Sequence, residues 1–315
     1  MWFYTYWRQG DAHTGDRVDG LGHRTLAIAT HLHDVYLTAK CLGCFAVYRM
    51  AHTRFQEART ACAQLLALGK EARNPRTTAM GLWALAFVDV LEERFEEAIE
   101  RTEEALRLSP DLLDRLTAQG VKGMALALRG QAQEGRAILH EVRKEIMAGE
   151  YLFPLMGFDI PYGVTLVLTG QMAAGVCWIE ETMQRFGALG TTTQYAWGHL
   201  FLGEIYLQMA LGQTKLPLRL LLRNLRFILR TLPRAARKAQ YHLNEAIRRA
   251  RALEMPGVLA RALLDLSMFY QSRKRMAAAP ISLEEARDIT ERWASPPMQA
   301  KICAVLASLN DLASP

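Results

Sequence analysis

Residues 79–110 read AMGLWALAFVDVLEERFEEAIERTEEALRLSP, and this stretch contains the clearest structural pattern of the chain. Its first half repeats with the period of one helix face, at Leu82, Leu85, Ala86 and Asp89. Its second half repeats in the same way at Phe95, Ala98, Thr102 and Ala105, and Pro110 ends it. The small residues Ala86 and Ala98 allow two helices to approach closely, while larger residues fill the gaps. The stretch therefore predicts a pair of packed antiparallel helices.

The turn between these two helices recurs along the chain about every 40 residues. In each copy a packing residue follows the turn two positions later, and a small residue follows three positions after that. The copies start at Gly10, Thr53, Glu93, Gly130 and Gly170, and Gly212 continues the spacing. Self-similarity at such a period is typical of helical repeats that stack on their neighbours. The sequence predicts an all-α fold, an α-solenoid of antiparallel helix pairs with a period of about 40 residues.

The pattern divides the chain into three segments. Residues 1–36 form a truncated first repeat, residues 37–212 form the regular repeats, and residues 213–315 form a basic connecting helix and C-terminal repeat helices. The truncation is indicated by Trp2–Arg8, which has the character of the last turns of a first helix whose front half is missing. We therefore expect the chain to be a fragment of something longer.

The composition favours a helical protein of the cytoplasm. Half of the residues are apolar, and no apolar run reaches the ~18 residues of a membrane span. The five cysteines are scattered and odd in number, which does not indicate a disulfide framework. The aromatic N-terminus is too short and too polar for a signal peptide. Cytoplasmic localisation is the expectation.

The charge is strongly polarised along the chain. Residues 215–251 carry eleven Lys or Arg and one acidic residue, whereas residues 89–114 carry ten acidic residues against three arginines. Four arginines are spaced to share one helix face: Arg219, Arg223, Arg226 and Arg230. We favour a connecting helix whose leucines pack on the repeats while these arginines face water. Contact of residues 215–230 with a membrane surface or a partner groove is the less favoured alternative.

No pattern of catalytic or cofactor-binding residues is evident. The one Gly-Lys pair, Gly69-Lys70, lacks the upstream glycine of a phosphate-binding loop. Cys41 and Cys44 have a zinc-like spacing without a second ligand pair, so we interpret them as structural thiols. His31, His33, Asp34 and His23 are potential metal ligands, but a turn at a helix end explains this cluster equally well. We expect no metal, no cofactor, no nucleic-acid partner and no catalytic residue.

The repeat at 79–110 resembles the tetratricopeptide repeat at its Leu, small, Phe, Ala, Ala and Pro positions. It departs from that pattern at Asp89 and Thr102, where large aromatic residues are commoner. The segment 221–275, LLRNLRFILRTLPRAARKAQYHLNEAIRRARALEMPGVLARALLDLSMFYQSRKR, is similar to the tail of large bacterial signalling proteins. In these, a class III adenylate/guanylate cyclase domain and an AAA-type ATPase module precede tetratricopeptide-like repeats. The resemblance implies a regulatory solenoid attached to, or derived from, a signalling enzyme, without cyclase activity of its own.

The best candidates for function are first-helix residues that would face a partner. In the tetratricopeptide register these are Trp83, Phe87, Trp197, Phe201 and Gln208. Aromatic residues in a groove are good anchors for a partner peptide or an adjacent domain, although the same rings can instead belong to the core. We expect a non-catalytic scaffold for protein–protein or interdomain contacts. The alternative is a regulatory domain that senses a small molecule and controls an attached enzyme.

Overall fold

The computed structural model describes residues 12–150, 152–188, 192–212, 218–273, 278–293 and 296–313. Within these ranges the chain forms fourteen α-helices and no strand. The chain divides into two compact units, residues 1–169 and residues 170–315. Unit 1 contains α1 (Ala12–His31), α2 (Val35–Ala51), α3 (Phe55–Glu71), α4 (Pro75–Leu91), α5 (Phe95–Leu108), α6 (Leu112–Arg129), α7 (Ala132–Ala148) and α8 (Leu152–Leu168). Unit 2 contains α9 (Met172–Ala188), α10 (Thr192–Leu211), α11 (Leu218–Ala252), α12 (Pro256–Ser272), α13 (Ala278–Trp293) and α14 (Pro296–Ala313).

Within unit 1 the helices stack as consecutive pairs. Each helix from α1 to α8 packs against the next one, and short turns between them make neighbours antiparallel. The even-numbered helices also contact one another, α2 with α4, α4 with α6 and α6 with α8. They are therefore the first helices of successive pairs. The predicted fold class, an all-α solenoid of antiparallel helix pairs, is confirmed.

Nine turn residues among the described ones have positive φ, and the sequence located five of them. The predicted turn residues Thr53, Glu93, Gly130, Gly170 and Gly212 all have positive φ. After Thr53, the amide of Arg54 donates to the carbonyl of Arg49, while the amide of Thr53 donates to Met50. This pair of bonds is the Schellman motif, which satisfies carbonyls at a helix C-terminus. His33, Arg73, Glu150 and Glu254 have the same positive φ between one pair and the next.

A close contact between two helices explains the glycines of the repeat at residues 112–148. Gly123 on α6 and Gly135 on α7 face each other, so that a Cβ atom on Gly123 would lie 3.1 Å from the carbonyl oxygen of Gly135. A Cβ atom on Gly135 would lie 2.7 Å from the amide nitrogen of Ala127. Neither position has room for a side chain while the two helices stay at this distance.

Unit 2 follows the same plan, with α10 contacting α12 as consecutive first helices. The second helix of the pair α10–α11 is 35 residues long. The sequence instead predicted a connecting helix at 215–230 and separate repeat helices after it. Pro233 lies inside α11 and does not end it. The buried side of this helix continues unbroken past the proline, through Asn224, Thr231, Ala235, Ala239 and Leu243. Continuous packing outweighs the loss of one helix hydrogen bond.

The predicted segment limits remain predictions. The unit boundary at residue 169 falls inside the segment 37–212 that the repeat pattern delimits. Trp2–Arg8, on which the expectation of a truncated first repeat rests, lies outside the described residues. In the described part of the chain, no helix combines the length and apolarity required to cross a membrane.

Candidate functional site

The first-helix face of each unit is the surface on which the predicted groove residues were placed. Trp83 is 8% exposed and belongs to a core cluster with Phe45 and Ala79. Trp83 is therefore a core residue, as in the alternative that the sequence left open.

Phe87 is half-buried on the first-helix face of unit 1. Its ring stacks on that of Phe158 of α8, with the centroids 6.2 Å apart. The residues around it on this face are apolar. Leu91 and Val164 are half-buried, and Leu128 and Leu168 are exposed. Phe87 therefore lies against α8 beside half-buried and exposed apolar side chains.

The remaining predicted groove residues lie together on α10 in unit 2. The rings of Trp197 and Phe201 stack with their centroids 5.8 Å apart, and both are half-buried. Gln208 is exposed further along the same side. Glu204, which the sequence did not single out, lies between them at helical spacing. One side of α10 therefore presents two aromatic rings, a carboxylate and an amide.

The neighbouring first helix α12 contributes charged groups to this surface. Arg261 donates from Nη2 to Oε2 of Glu204 at 3.0 Å, and its Nε also contacts Glu204. The guanidinium of Arg261 lies 5.6 Å from the centroid of the Phe201 ring. Asp265, one turn further along α12, shares a hydrogen bond with Glu204. Arg261 and Asp265, which follow Glu204 by 57 and 61 positions in the sequence, thus meet it on one surface.

Asp265 lies beside the carboxylate of Glu204. Burial raises the pKa of Asp265 well above its ordinary value, and the charge of Glu204 raises it further, while Arg261 and Lys301 lower it. The Oδ2 atom of Asp265 is enclosed and has no hydrogen-bond partner among the described residues. Arg261 holds Glu204 by an ion pair. We name Trp197, Phe201, Glu204, Arg261 and Asp265 the α10–α12 cluster.

Unit 1 places its charges between helices instead of on a face. Asp89 of α4 is fully buried and accepts hydrogen bonds from Arg59 of α3 and Arg101 of α5. Burial raises the pKa of Asp89 to about 6, although both arginines lower it. Arg143 of α7 pairs with Asp159 of α8 in the same way, and both side chains are buried. These pairs explain why Asp89 replaces the aromatic residue of the tetratricopeptide pattern.

A histidine pair lies between α10 and α11 in unit 2. The Nδ1 atoms of His199 and His242 are 3.0 Å apart, so one ring donates and the other accepts. Burial lowers the pKa of both to about 4. The neighbouring cations Arg249, Arg248 and Lys238 lower these pKa values further, and Glu245 raises them. Both imidazoles are neutral at neutral pH.

The predicted arginine stripe is exposed at Arg219, Arg223, Arg226 and Arg230. The interpretation that the leucines of this helix pack on the repeats was wrong for most of them. Leu222 and Leu229 are 61% and 64% exposed, and Leu221, Leu225 and Leu232 are also exposed. The helix instead packs through the side that carries Asn224 and Thr231, a polar pair that apolar periodicity does not detect.

Among the described residues, no three His, Cys, Asp or Glu side chains are grouped so that they could hold a metal ion. Asp34 caps α2 and accepts a hydrogen bond from the amide of Leu37 at 2.9 Å. The ring of His23 lies against Phe45, with centroids 5.1 Å apart. Cys41 and Cys44 are free thiols, and burial raises the pKa of Cys44 to about 11.

Comparison with known proteins places the fold in a class. No protein-family model matches the chain, and no curated protein matches it. Among solved structures, the chain is similar to a Rap protein crystallised in complex with competence and sporulation factor. The TM-score is 0.54 at 11% sequence identity, over 95% of this chain and 80% of that chain. The similarity shows the fold alone, a tetratricopeptide-like helical repeat.

Proposed function

We propose that this chain is a non-catalytic scaffold that binds a segment of a partner protein on the first-helix face of unit 2. The observation that carries the proposal is the α10–α12 cluster, in which two stacked, half-buried rings adjoin a guanidinium fixed by a carboxylate. Aromatic and arginine side chains that are held in place before binding are the usual anchors of protein interfaces. The Rap protein of the structural comparison was likewise crystallised with a bound factor.

The cluster suits a peptide because it combines three kinds of contact. Trp197 and Phe201 offer ring surface to an apolar side chain, and exposed Gln208 offers an amide to the peptide backbone. Arg261 is oriented by Glu204 and by the Phe201 ring, so it loses little side-chain entropy when a partner arrives. Asp265 adjoins Glu204 and shares a hydrogen bond with it.

Selection of a random peptide library on the purified chain tests the proposal. Peptides selected on the wild type should bind Trp197→Ala at least about tenfold more weakly, because an anchoring ring is lost. Trp178→Ala is the matched control, since Trp178 is half-buried on the second helix α9 of the same unit. Phe87→Ala controls for the first-helix face of unit 1. Selected peptides that bind Trp197→Ala and wild type equally would contradict the proposal.

We also propose that the scaffold is the regulatory portion of a cyclase- or ATPase-type signalling protein, whose attached domain is its partner. The resemblance of residues 221–275 to the tail of such proteins supports this context. Sequencing the DNA upstream of the reading frame tests it. An in-frame continuation that encodes a phosphate-binding loop is the expected result, and an unrelated upstream gene would contradict it.

A second candidate function, sensing of a small anion, is favoured by a cavity along α11. The cavity has a volume of about 410 Å³ and is lined by Arg234, Arg237, Lys238 and Tyr241. Three cations beside an aromatic ring suit a phosphate-bearing molecule. Calorimetric titration with inorganic pyrophosphate and with ATP should show binding that Arg237→Gln weakens. Absence of heat with both probes would exclude this candidate.

A further inference from the structure

The first half of α11 has three distinct sides. One side attaches the helix to unit 2 through Asn224, which is buried. The Asn224 amide donates to the carbonyl oxygen of Gly170 at 2.8 Å, and its Oδ1 accepts from the amide of Met172 at 3.1 Å. Leu220 packs against Gly170 on the same side. This attachment fixes the rotation of the helix, and therefore determines which residues face away.

The second side is an exposed apolar surface. It consists of leucines whose exposed fractions range from 38% to 64%: Leu221, Leu222, Leu225, Leu229 and Leu232. Five large apolar side chains in one contiguous stripe are unusual on the surface of a folded protein, and such patches mark interaction sites. We name these residues the leucine stripe.

The third side is basic and adjoins the leucine stripe. Six arginines follow the helix at intervals of three or four residues: Arg219, Arg223, Arg226, Arg230, Arg234 and Arg237. All six are exposed, and in the described part of the chain none of them forms an ion pair with a carboxylate. Among the described residues, no carboxylate therefore compensates their charge.

We propose that residues 218–237 dock on the surface of an anionic lipid membrane. The leucine stripe enters the boundary between head groups and acyl chains, and the arginines bind lipid phosphates. A helix with one apolar face and one Lys/Arg-rich face lies in the plane of a membrane interface and prefers anionic lipid.

Charge and apolarity together favour lipid over the two other occupants. A second copy of α11 would cover the leucines, but it would bring two rows of uncompensated arginines together. The acidic helix α5 of a second copy would neutralise the arginines, but its exposed side consists of charged residues such as Glu96, Glu100 and Glu104. It would leave the leucine stripe without an apolar partner. An anionic membrane supplies both contacts in adjacent layers.

Cosedimentation with vesicles tests the proposal. The full chain should bind vesicles of phosphatidylcholine with phosphatidylserine, and it should bind pure phosphatidylcholine much more weakly. Added salt should weaken binding, because exposed charges are screened. Leu222→Gln with Leu229→Gln should lower the partition by more than about tenfold, since two buried apolar side chains are lost. Arg223→Gln with Arg226→Gln should reduce binding only to the anionic vesicles.

The matched control is Leu128→Gln with Leu168→Gln, which replaces two exposed leucines of unit 1. This variant should bind vesicles like the wild type. No sedimentation of the wild type with anionic vesicles would overturn the proposal, as would equal binding of the Leu222/Leu229 variant. A dimer in light scattering that dissociates in the Leu222/Leu229 variant would show that a second copy covers the stripe, and would also overturn it. Circular dichroism checks that each variant is folded.

Discussion

Unit 1 and unit 2 are built from the same helix pairs but use charged side chains in opposite ways. Unit 1 buries Asp89 and Asp159 between consecutive helices, where arginines from neighbouring helices compensate them. Its first-helix face is apolar. Unit 2 places Glu204, Arg261 and Asp265 on the first-helix face beside two rings, and its interior contains the neutral pair His199–His242.

The different placement of charged side chains indicates different roles for the two units. A buried ion pair between helices specifies how they pack. It adds little net stability, because proteins in which apolar residues replace such a pair are often as stable. A charged cluster on a face contributes little to stability and is available to a partner. Unit 1 therefore has the character of a structural support, whereas unit 2 presents the groups suited to recognition. Four measurements, from the largest expected effect to the smallest, examine this contrast.

The largest effect is expected from the buried ion pair of unit 1. Arg143→Met removes the guanidinium that pairs with the buried carboxylate of Asp159, and should lower the free energy of unfolding by about 3–5 kcal/mol. Lys144→Met is the matched control, since Lys144 is exposed and lies 3.8 Å from Glu141. The control should change stability by less than about 0.5 kcal/mol. Urea unfolding followed by hydrogen exchange should assign the loss to α7 and α8. Equal losses in both variants would contradict the structural role.

Acidification should distinguish the two units by the sign of its effect. The pKa of His199 and His242 is about 4 in the folded chain and 6.5 ordinarily, so the unfolded chain binds more protons between these values. Unit 2 should therefore be fully stable above pH ~6.5 and lose about 2 kcal/mol per histidine by pH ~5. The pKa of Asp89 is raised, so its contribution strengthens as the pH falls from about 6 towards 3.8.

Native-state hydrogen exchange, corrected for the intrinsic rate at each pH, measures both responses. Protection of α10 and α11 should fall between pH ~7 and ~5, while protection of α4 should persist. His242→Gln removes one titrating ring and should flatten the response of unit 2. Loss of protection in α4 before α10 would break the proposed contrast between the units.

A third measurement concerns close packing, which is strictest in unit 1. Gly135→Ala should destabilise the chain by about 1–3 kcal/mol, because the new methyl group meets the backbone of α6. Gly157→Ala is the control, since its Cβ would lie 3.6 Å from the Phe87 ring, an ordinary contact. Thermal unfolding of the two variants gives the comparison. A Gly135→Ala variant as stable as wild type would show that α6 and α7 separate easily.

The smallest effects are expected at the turns, which the two units share. Gly130 has φ of +115° and open space around it, so Gly130→Ala should cost about 1 kcal/mol through backbone strain alone. Arg73 has φ of +48°, and Arg73→Gly should stabilise the chain by about 0.5 kcal/mol. Urea unfolding of both variants checks the opposite signs. Changes of the same sign would show that side-chain contacts, not φ, dominate the turns.

The sequence predicted the features that depend on local periodicity. The helix pair at 79–108 and the turn residues Thr53, Glu93 and Gly130 are as expected, because apolar spacing and turn residues lie within a few positions of one another. The turn at Arg73 was not predicted, because it lies outside the motif that recurs about every 40 residues.

Contacts between residues far apart in the chain could not be predicted from the sequence. Glu204 and Asp265 belong to different repeats, and only stacking of α10 on α12 brings them together. The tetratricopeptide register placed Trp83 in the groove and left the core open as an alternative, whereas the structure buries it in the core. The leucines of α11 were expected to pack on the repeats because they are apolar. The side of this helix that packs carries a polar residue, Asn224, which apolar spacing does not detect.

The Schellman turns have a consequence for how such a chain changes over generations. Each turn is closed by main-chain atoms, and threonine, glutamate, arginine or histidine occupies the positive-φ position as well as glycine. Substitutions at these positions alter the energy slightly without altering the path of the backbone. Repeats of this kind therefore lose detectable sequence similarity before they lose their helix pairing. Their relationship stays visible in the structure after the sequences have diverged.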